Sequence, residues 1–337
     1  MNTNEQKRLR VGIIGLGAIS NTHIRSLQML SDIEICAICD INEKRLEDKK
    51  TTYALSCPTY TDYTEMIDKE HPDAVHVLTP HYLHAPMTVY ALKHGVNVFL
   101  EKPMGISYED IEQIQKAEEE SGKRVCVCFQ NRFNPATLLA KKAIEEDGGV
   151  TSAYATVIWN RDASYYASDA WRGRWETEGG GVMINQAIHT LDLLCQFLGK
   201  PLSLKATCQN HHLKEIIEVE DMCEGVVTFE GGVHCVFYAT TAFEGGNVTT
   251  VYLKTKNHTI QLQNEALFID NILQSFDENH LPYYGKMCYG KGHPELISRF
   301  YEALRSQGEM PVNTESSQYA LRLLLSAYKS EGKEILI

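Results

Sequence analysis

The sequence predicts an α/β protein with two domains, a doubly wound parallel sheet followed by an α+β domain whose sheet is open and mostly antiparallel. Apolar strand-like runs alternate with amphipathic helices over the first 127 residues, whereas strand-like runs dominate after residue 150. The length of 337 residues also exceeds what one core usually supports. We therefore expect domains at 1–127 and 128–337, with a last helix near 318–329 packing back near the first domain.

The alternation in the first domain can be followed run by run. Apolar, β-branched runs predict parallel strands, and the segments between them predict helices that cover both faces of the sheet. The predicted strands are RVGII, IEICAIC, a short one near Pro58, DAVHVL, VNVFL and RVCVCF. The predicted helices cover residues 18–30, 43–53, 83–94 and 108–121.

A glycine-rich turn, GLGAIS, joins the first predicted strand to the first helix. Gly15 allows a tight turn, and Gly17 lets a pyrophosphate approach the backbone at the positive end of the helix. Such a turn also occurs in ordinary loops, but here the second strand ends in Asp40, twenty residues beyond Ser20. An acidic side chain there accepts hydrogen bonds from a ribose diol and repels a 2′-phosphate. With no arginine at 41–43, the pattern favours a Rossmann domain that binds NAD rather than NADP.

Composition narrows the function classes. A formal net charge of −12 argues against a nucleic-acid partner, and no apolar stretch is long enough for a signal peptide or membrane span, so we expect a cytoplasmic protein that acts on small molecules. Most of the 10 cysteines, Cys223 among them, lie in apolar runs as small hydrophobic residues. Cys36 and Cys39 form a CxxC within one strand, which points them to opposite faces, so we expect no metal site.

Lys102 follows the apolar run VNVFL after a single residue, Glu101, and precedes Pro103. Parallel sheets bind ligands at the carboxyl ends of their strands, so this lysine is expected at the same edge as the glycine turn. A lysine is most often a solvated surface charge, but the position makes a functional role equally plausible. The Lys102–Pro103 bond is a candidate for the cis form.

His189 lies on a predicted helix that follows three glycines, in GGGVMINQAIHTLDLL. At about 100° per residue, Asn185, His189, Asp192 and Gln196 share one stripe, opposite an apolar face. Such a stripe is usually the solvated side of an amphipathic helix. The glycines favour a second interpretation, since they are useful mainly where the backbone passes close to another group.

Taken in order, GLGAIS, Asp40, TPHYLH, EKP and GGGVMINQAIH followed by TLD resemble the Gfo/Idh/MocA oxidoreductases, the family of glucose-fructose oxidoreductase and inositol dehydrogenase. The resemblance covers essentially the whole chain. It implies an NAD-binding set formed by Gly15, Gly17, Ala18, Ile19, Asp40, Thr79, Pro80, His84, Glu101, Lys102, Gln130, Trp171 and Arg172. It implies a substrate-binding set formed by Lys102, Arg132, Tyr165, Asn185 and His189.

The resemblance also implies the chemistry, a hydride transfer between NAD and a secondary alcohol or ketone carbon of a sugar, sugar derivative or cyclitol. His189 or Lys102 is the expected base, and a lysine base needs its pKa lowered by burial or nearby positive charge. Many family members have aspartate one helical turn before the histidine, where this chain has Asn185, an amide that can orient substrate hydroxyls. Two alternatives are an NAD-dependent glycosidase that acts by transient oxidation and a non-catalytic NAD-binding regulator.

The second domain contains the predicted strands TSAYATVIW, LSLKATCQ, MCEGVVTF, GVHCVFYAT, NVTTVYLKT and HTIQLQ. Turns such as those at 230–232 and 256–257 separate several of them, which predicts a mostly antiparallel sheet. With helices on one face only, the other face is available, and the resemblance implies that it pairs with another subunit in a homodimer or homotetramer.

Overall fold

The structure, a computed structural model, describes residues 8–275 and 291–337. Its described residues form two compact units, the first from 8–105, 109–130 and 291–314 and the second from 106–108, 131–275 and 315–337. The chain passes to the second unit after Gln130, near the predicted boundary. The segment 291–314 differs from the prediction because it belongs to the first unit rather than to the second domain.

The first unit contains a six-stranded parallel sheet with the strand order β3-β2-β1-β4-β5-β6. This is the order of the dinucleotide-binding Rossmann fold, and it confirms the predicted fold class. The strands are β1 (Leu9–Ile14), β2 (Ile33–Cys39), β3 (Thr59–Tyr60), β4 (Ala74–Val77), β5 (Asn97–Leu100) and β6 (Val125–Val127).

The helices of the first unit mostly follow the predicted runs, with two additions. They are α1 (Ser20–Gln28), α2 (Glu43–Tyr53), α3 (Tyr63–Glu70), α4 (His84–Lys93), α5 (Tyr108–Ser121) and, much later in the chain, α9 (Gly292–Ser306). Helix α3 is absent from the prediction because its eight residues bury only Met66 and Ile67. Helix α9 packs against α1 and inserts Tyr301, a fully buried side chain, into this unit.

The second unit is built on a nine-stranded sheet with the order β14-β13-β12-β11-β7-β10-β9-β8-β15. All its pairs are antiparallel except β7 with β10, which confirms the mostly antiparallel prediction. The strands are β7 (Val150–Ile158), β8 (Pro201–Gln209), β9 (Met222–Phe229), β10 (His234–Thr240), β11 (Val248–Thr255), β12 (Thr259–Gln263), β13 (Ala266–Ile269), β14 (Ile272–Leu273) and β15 (Glu334–Leu336).

The helices of the second unit are α6 (Pro135–Glu146), α7 (Ala163–Ala167), α8 (Ile188–Leu198) and α10 (Thr314–Ser330). Helix α10 contains the predicted last helix and lies almost entirely in this unit. Within the described ranges, no helix combines the length and the hydropathy that a membrane span requires.

The cysteines differ from the prediction at one point. Cys208 of β8 and Cys223 of β9 are directly opposite each other and form a disulfide, so Cys223 is not a free apolar thiol. The CxxC cysteines are free and buried, and burial raises the pKa of both Cys36 and Cys39 to about 12. Both thiols therefore stay protonated at neutral pH.

Candidate active site

The glycine turn between β1 and α1 has the geometry that a dinucleotide requires. Gly15 has a φ of +92°, and a Cβ there would lie 2.7 Å from the carbonyl oxygen of Leu78, so only glycine fits. A Cβ on Gly17 would meet nothing within 4 Å, which leaves open space in front of the backbone. Helix α1 starts after Ile19 without a side-chain cap, so no side chain occupies the positive end of the helix, where an anion is favoured. These features fit a pyrophosphate.

Asp40 follows β2 and holds the same turn in place. One carboxylate oxygen accepts a hydrogen bond from the backbone N–H of Leu16 at 2.7 Å and the other from that of Asn42 at 2.9 Å. Ionised carboxylates can accept about four hydrogen bonds, so Asp40 retains capacity for a ribose diol. The first turn of α2 also places the Arg45 guanidinium 3.8 Å from Asp40, which corrects the inference from 41–43 that no arginine stands nearby.

Lys102 follows β5 at the carboxyl edge of the first sheet, where the glycine turn follows β1. Its side chain is half-buried and its peptide bond to Pro103 is cis. His84 is buried, with Nδ1 2.6 Å from the Pro103 carbonyl oxygen and Nε2 2.8 Å from that of Thr79. His84 therefore connects the loop after β4, which carries Thr79 and Pro80, to the loop that carries Lys102.

Glu101 lies behind Lys102 in a buried cluster rather than on an open surface. His23 Nε2 lies 3.0 Å and His293 Nε2 3.7 Å from its Oε1, and its Oε2 accepts a hydrogen bond from the backbone N–H of Lys102 at 3.2 Å. Burial alone would raise the pKa of Glu101, but the hydrogen bonds with His23 and His293 are the main cause that holds it well below its usual value. Cys128 completes the group, whose four ligand-type atoms lie within 4.8 Å of one another.

A chain of hydrogen bonds leads from this carboxylate to α9. Burial lowers the pKa of both His23 and His76, which favours the neutral form of each ring. If His23 Nε2 donates to Glu101, its Nδ1 accepts from His76 Nδ1 at 2.8 Å. His76 Nε2 then accepts from the Tyr301 hydroxyl at 2.7 Å. All donors point toward Glu101, so α9 stabilises the ionised carboxylate beside Lys102.

In the second unit, Asn185 and His189 lie on a helix that changes its winding between them. Residues 183–187 form one π-helical stretch, and α8 begins at Ile188. Single π turns inside α-helices are frequent at functional sites. Both side chains are half-buried, whereas Asp192 of the predicted stripe is buried. The stripe is therefore not the solvated side of an ordinary helix.

The glycines before this helix are required by close contacts within the second unit. A Cβ on Gly181 would lie 1.9 Å from the carbonyl oxygen of Glu220, and one on Gly180 would lie 2.0 Å from the Tyr328 hydroxyl. The Glu220 carboxylate accepts hydrogen bonds from the backbone N–H groups of Gly181 at 2.9 Å and Met183 at 3.0 Å, and from the Tyr328 hydroxyl at 3.0 Å. Glu220 therefore caps the helix that carries Asn185 and His189.

A cluster of polar and aromatic side chains surrounds Asn185. Its Nδ2 donates to the carboxylate of Glu178 and to the Tyr165 hydroxyl. The Tyr165 hydroxyl also accepts from Arg172 at 2.6 Å, and the Arg172 guanidinium lies over the rings of Tyr165 and Trp171 at 4.5 Å and 4.6 Å. Three residues of the predicted sets are thus brought together around Asn185. Glu178 escaped the sequence analysis, although it directly precedes the glycines.

Two other predicted site residues, Arg132 and Gln130, are buried. Arg132 is buried and forms a bidentate ion pair with Asp192, at 2.8 Å and 2.6 Å, with further bonds to Ser316. Within the second unit, Arg132 is therefore a brace that connects the turn that carries it to α8 and α10. Gln130 is 2% exposed, and its Oε1 has no hydrogen-bond partner among the described residues.

Comparisons with known proteins agree with this geometry. The model of an oxidoreductase family with an NAD-binding Rossmann fold, GFO_IDH_MocA, matches residues 9–129, and the GFO/IDH/MocA C-terminal domain matches residues 137–260. The uncharacterized oxidoreductase YrbE of Bacillus subtilis is 24% identical over 96% of this chain and 94% of its own. Inositol 2-dehydrogenase of Salmonella typhimurium is 32% identical, but the alignment covers only 41% of each chain.

Among solved structures, the WlbA dehydrogenase from Bordetella pertussis in complex with NADH and UDP-GlcNAcA is 28% identical with a TM-score of 0.86. That comparison covers 98% of this chain and 99% of the other. The glycine turn, Asp40 and these matches define an NAD-dependent oxidoreductase. The chain belongs to the GFO/IDH/MocA family.

Proposed function

We propose that this protein is an NAD-dependent dehydrogenase that oxidises a secondary hydroxyl of a sugar, sugar derivative or cyclitol. The observation that carries the proposal is the half-buried Lys102 at the sheet edge that holds the dinucleotide turn, backed by the ionised carboxylate of Glu101. The substrate class is supported by relatives named inositol 2-dehydrogenase and by the UDP-GlcNAcA complex of WlbA.

The proposed roles are NAD binding, proton transfer and orientation of the substrate. NAD, when bound, supplies the hydride acceptor; Gly15, Gly17, Ala18 and Ile19 hold its pyrophosphate and Asp40 its ribose. Lys102 or His189 takes the hydroxyl proton as the hydride leaves, and either is a suitable base when its pKa lies near the working pH. Asn185 and Tyr165 orient the substrate, and the family resemblance assigns Trp171 and Arg172 a role in binding NAD.

The test is a screen for reduced nicotinamide by absorbance, with NAD and NADP against cyclitols, aldoses, amino sugars and sugar acids. We expect reduction of NAD by at least one group and loss of most turnover in Lys102→Ala and His189→Ala. Neither a glycosidase that oxidises its substrate transiently nor a non-catalytic regulator accumulates reduced cofactor. A product formed without NADH would support the glycosidase, and the absence of any product would support the regulator. Near wild-type turnover in both variants would contradict the assignment of the base.

We also propose that the protein assembles as a homodimer or homotetramer through the second sheet. Tyr154 of β7, Val236 of β10 and Val226 of β9 are paired directly across these strands and are 44%, 55% and 41% exposed. A contiguous apolar row on a sheet face is typical of an interface. Val236→Glu is expected to yield monomers in light scattering, whereas Met29→Glu, an exposed position of the first unit, leaves the assembly unchanged.

A further inference from the structure

The buried cluster behind Lys102 has the composition of a metal site. It contains one residue from each of four segments of the first unit: His23 of α1, Glu101 after β5, Cys128 after β6 and His293 of α9. Each of the four is at most 7% exposed, and one nitrogen, oxygen or sulfur atom from each lies within 4.8 Å of all the others. The fold therefore collects four ligand-type atoms at one buried point, although no local spacing in the sequence marks them.

Glu101 is at the centre of this cluster. Its Oε2 accepts a hydrogen bond from the backbone N–H of Lys102 at 3.2 Å, whereas its Oε1 lies 3.0 Å from Nε2 of His23 and 3.7 Å from Nε2 of His293. The ligands of a tetrahedral zinc ion, with bonds of about 2.0 to 2.3 Å, lie about 3.3 to 3.8 Å from one another. The two measured distances lie in or just below this range, so an ion fits between these atoms after small shifts of the side chains.

His23 also has the second hydrogen bond that a metal-binding histidine requires. A ligating imidazole almost always donates its other N–H to a neighbouring group, which fixes the ring. Nδ1 of His23 lies 2.8 Å from Nδ1 of His76, whose Nε2 lies 2.7 Å from the Tyr301 hydroxyl oxygen. With an ion on Nε2, His23 donates to His76 and His76 donates to Tyr301, which is the reverse of the direction that holds when His23 donates to Glu101.

We propose that this cluster is a structural zinc site, formed by His23, Glu101, Cys128 and His293. Zinc prefers imidazole nitrogen, thiolate sulfur and single carboxylate oxygens, which are the atoms present. Magnesium and calcium prefer six or more oxygen ligands, and this cluster offers one carboxylate. Four protein ligands complete a tetrahedron and leave no position for a substrate, so the role is structural rather than catalytic.

The charges of the cluster balance when zinc binds. The S–H bond of Cys128 breaks, a sulfur–zinc bond forms and the proton passes to the solvent, with no change of oxidation state. The thiolate and the Glu101 carboxylate then supply two negative charges to a doubly positive ion. The buried group becomes neutral, whereas without the ion it contains the single negative charge of Glu101.

The ion connects a late segment of the chain to the first sheet. His293 lies in the first turn of α9, whereas the other three ligands precede residue 130, so the whole of 131–275 lies in the loop that the ion closes. Closing a long loop restricts the unfolded chain, and binding to the folded state alone adds to its stability. We therefore expect zinc to stabilise the packing of α9 against α1.

The test is metal binding by the full-length protein without nucleotide. The protein is stripped with a chelator and titrated with Co²⁺, which gives visible bands in a tetrahedral site and a charge-transfer band with a thiolate. We expect about one Co²⁺ per chain with both kinds of band, and its displacement by about one Zn²⁺ that stays bound through gel filtration. Zinc is also expected to raise the urea unfolding midpoint of the stripped protein.

Four variants locate the ion. Cys128→Ser is expected to lose the charge-transfer band, and both it and His293→Gln are expected to bind Zn²⁺ at least about a hundredfold more weakly. The matched controls are Cys57→Ser, which replaces another buried free thiol of the first unit, and His94→Gln, which replaces an exposed histidine of that unit. Both controls are expected to bind Zn²⁺ as tightly as the wild type.

Three results would overturn the proposal: a wild type that binds neither ion, a cobalt complex without the charge-transfer band, or Zn²⁺ affinity unchanged in both Cys128→Ser and His293→Gln. The last two would identify adventitious binding elsewhere on the protein. If a variant fails to fold, the stoichiometry and spectrum of the wild type still decide. None of these measurements uses turnover, so they are independent of the proposed dehydrogenase activity.

Discussion

Replacing Glu220 with glutamine removes a titrating group from the cap of the helix that carries Asn185 and His189. Glu220 is 3% exposed, and burial raises its pKa from 4.5 to about 7 despite three hydrogen-bond donors. Because the folded pKa lies above the unfolded one, the stability from the protonated form is present below about pH 4.5 and is lost as pH rises through about 7. A difference of about 2.5 between the folded and unfolded pKa of Glu220 corresponds to about 3 kcal/mol in the free energy of unfolding.

The assay is urea unfolding of wild type and Glu220→Gln at a series of pH values from about 4.5 to 8. The variant is expected to be less stable at low pH, because an amide nitrogen there faces a backbone N–H group. The difference in free energy of unfolding between the wild type and the variant then decreases by about 3 kcal/mol as pH rises, because the glutamine does not titrate. Glu218→Gln, an exposed neighbour, controls for loss of charge. A difference in unfolding free energy between wild type and variant that stays constant within about 0.5 kcal/mol over this range would show that Glu220 does not titrate with a raised pKa.

Three further predictions concern the first unit and the brace of the second. Gly17→Ala is expected to keep the unfolding midpoint and to weaken NAD binding at least about tenfold in calorimetry, because its Cβ meets only the space left for the pyrophosphate; an unchanged affinity would contradict that site. Asp40→Ser is expected to raise the preference for NADP over NAD at least about tenfold in kcat/KM, since Arg45 can then face a 2′-phosphate; an unchanged ratio would remove Asp40 from the ribose site. Arg132→Met is expected to destabilise by about 3 to 5 kcal/mol in urea unfolding, because it leaves Asp192 buried without its partner; a loss below about 1 kcal/mol would count against the brace.

Most of the fold could be predicted from local sequence patterns. The apolar runs and the glycine turn predict the first sheet because parallel strands are buried on both faces and leave a continuous apolar signal. Helix α3 was missed because it buries only two side chains in eight residues. The location of α9 could not be predicted, since an amphipathic pattern shows which face is buried and not which partner buries it.

From the sequence, a site residue can be proposed with a physical reason only where a single segment carries the whole pattern. Gly15, Gly17 and Asp40 lie within one βαβ unit, so their spacing is informative. Arg132 is separated from Asp192 by 60 residues, and no local signal marks their ion pair. The proximity of Arg45 to Asp40 was not predicted because only residues 41–43 were compared, whereas the first turn of α2 brings Arg45 close to Asp40.

The most direct test of the central claim is to follow the hydrogen itself. Deuterium is placed on the carbinol carbon of the sugar or cyclitol that is active in the screen, and the reduced nicotinamide is analysed by mass spectrometry. We expect the deuterium to appear on NADH in proportion to oxidised product, with a slower rate for the labelled substrate, and we expect Lys102→Ala and His189→Ala both to lower that transfer. Deuterium that appears in water, or that returns to the product without accumulation of NADH, would contradict net dehydrogenation.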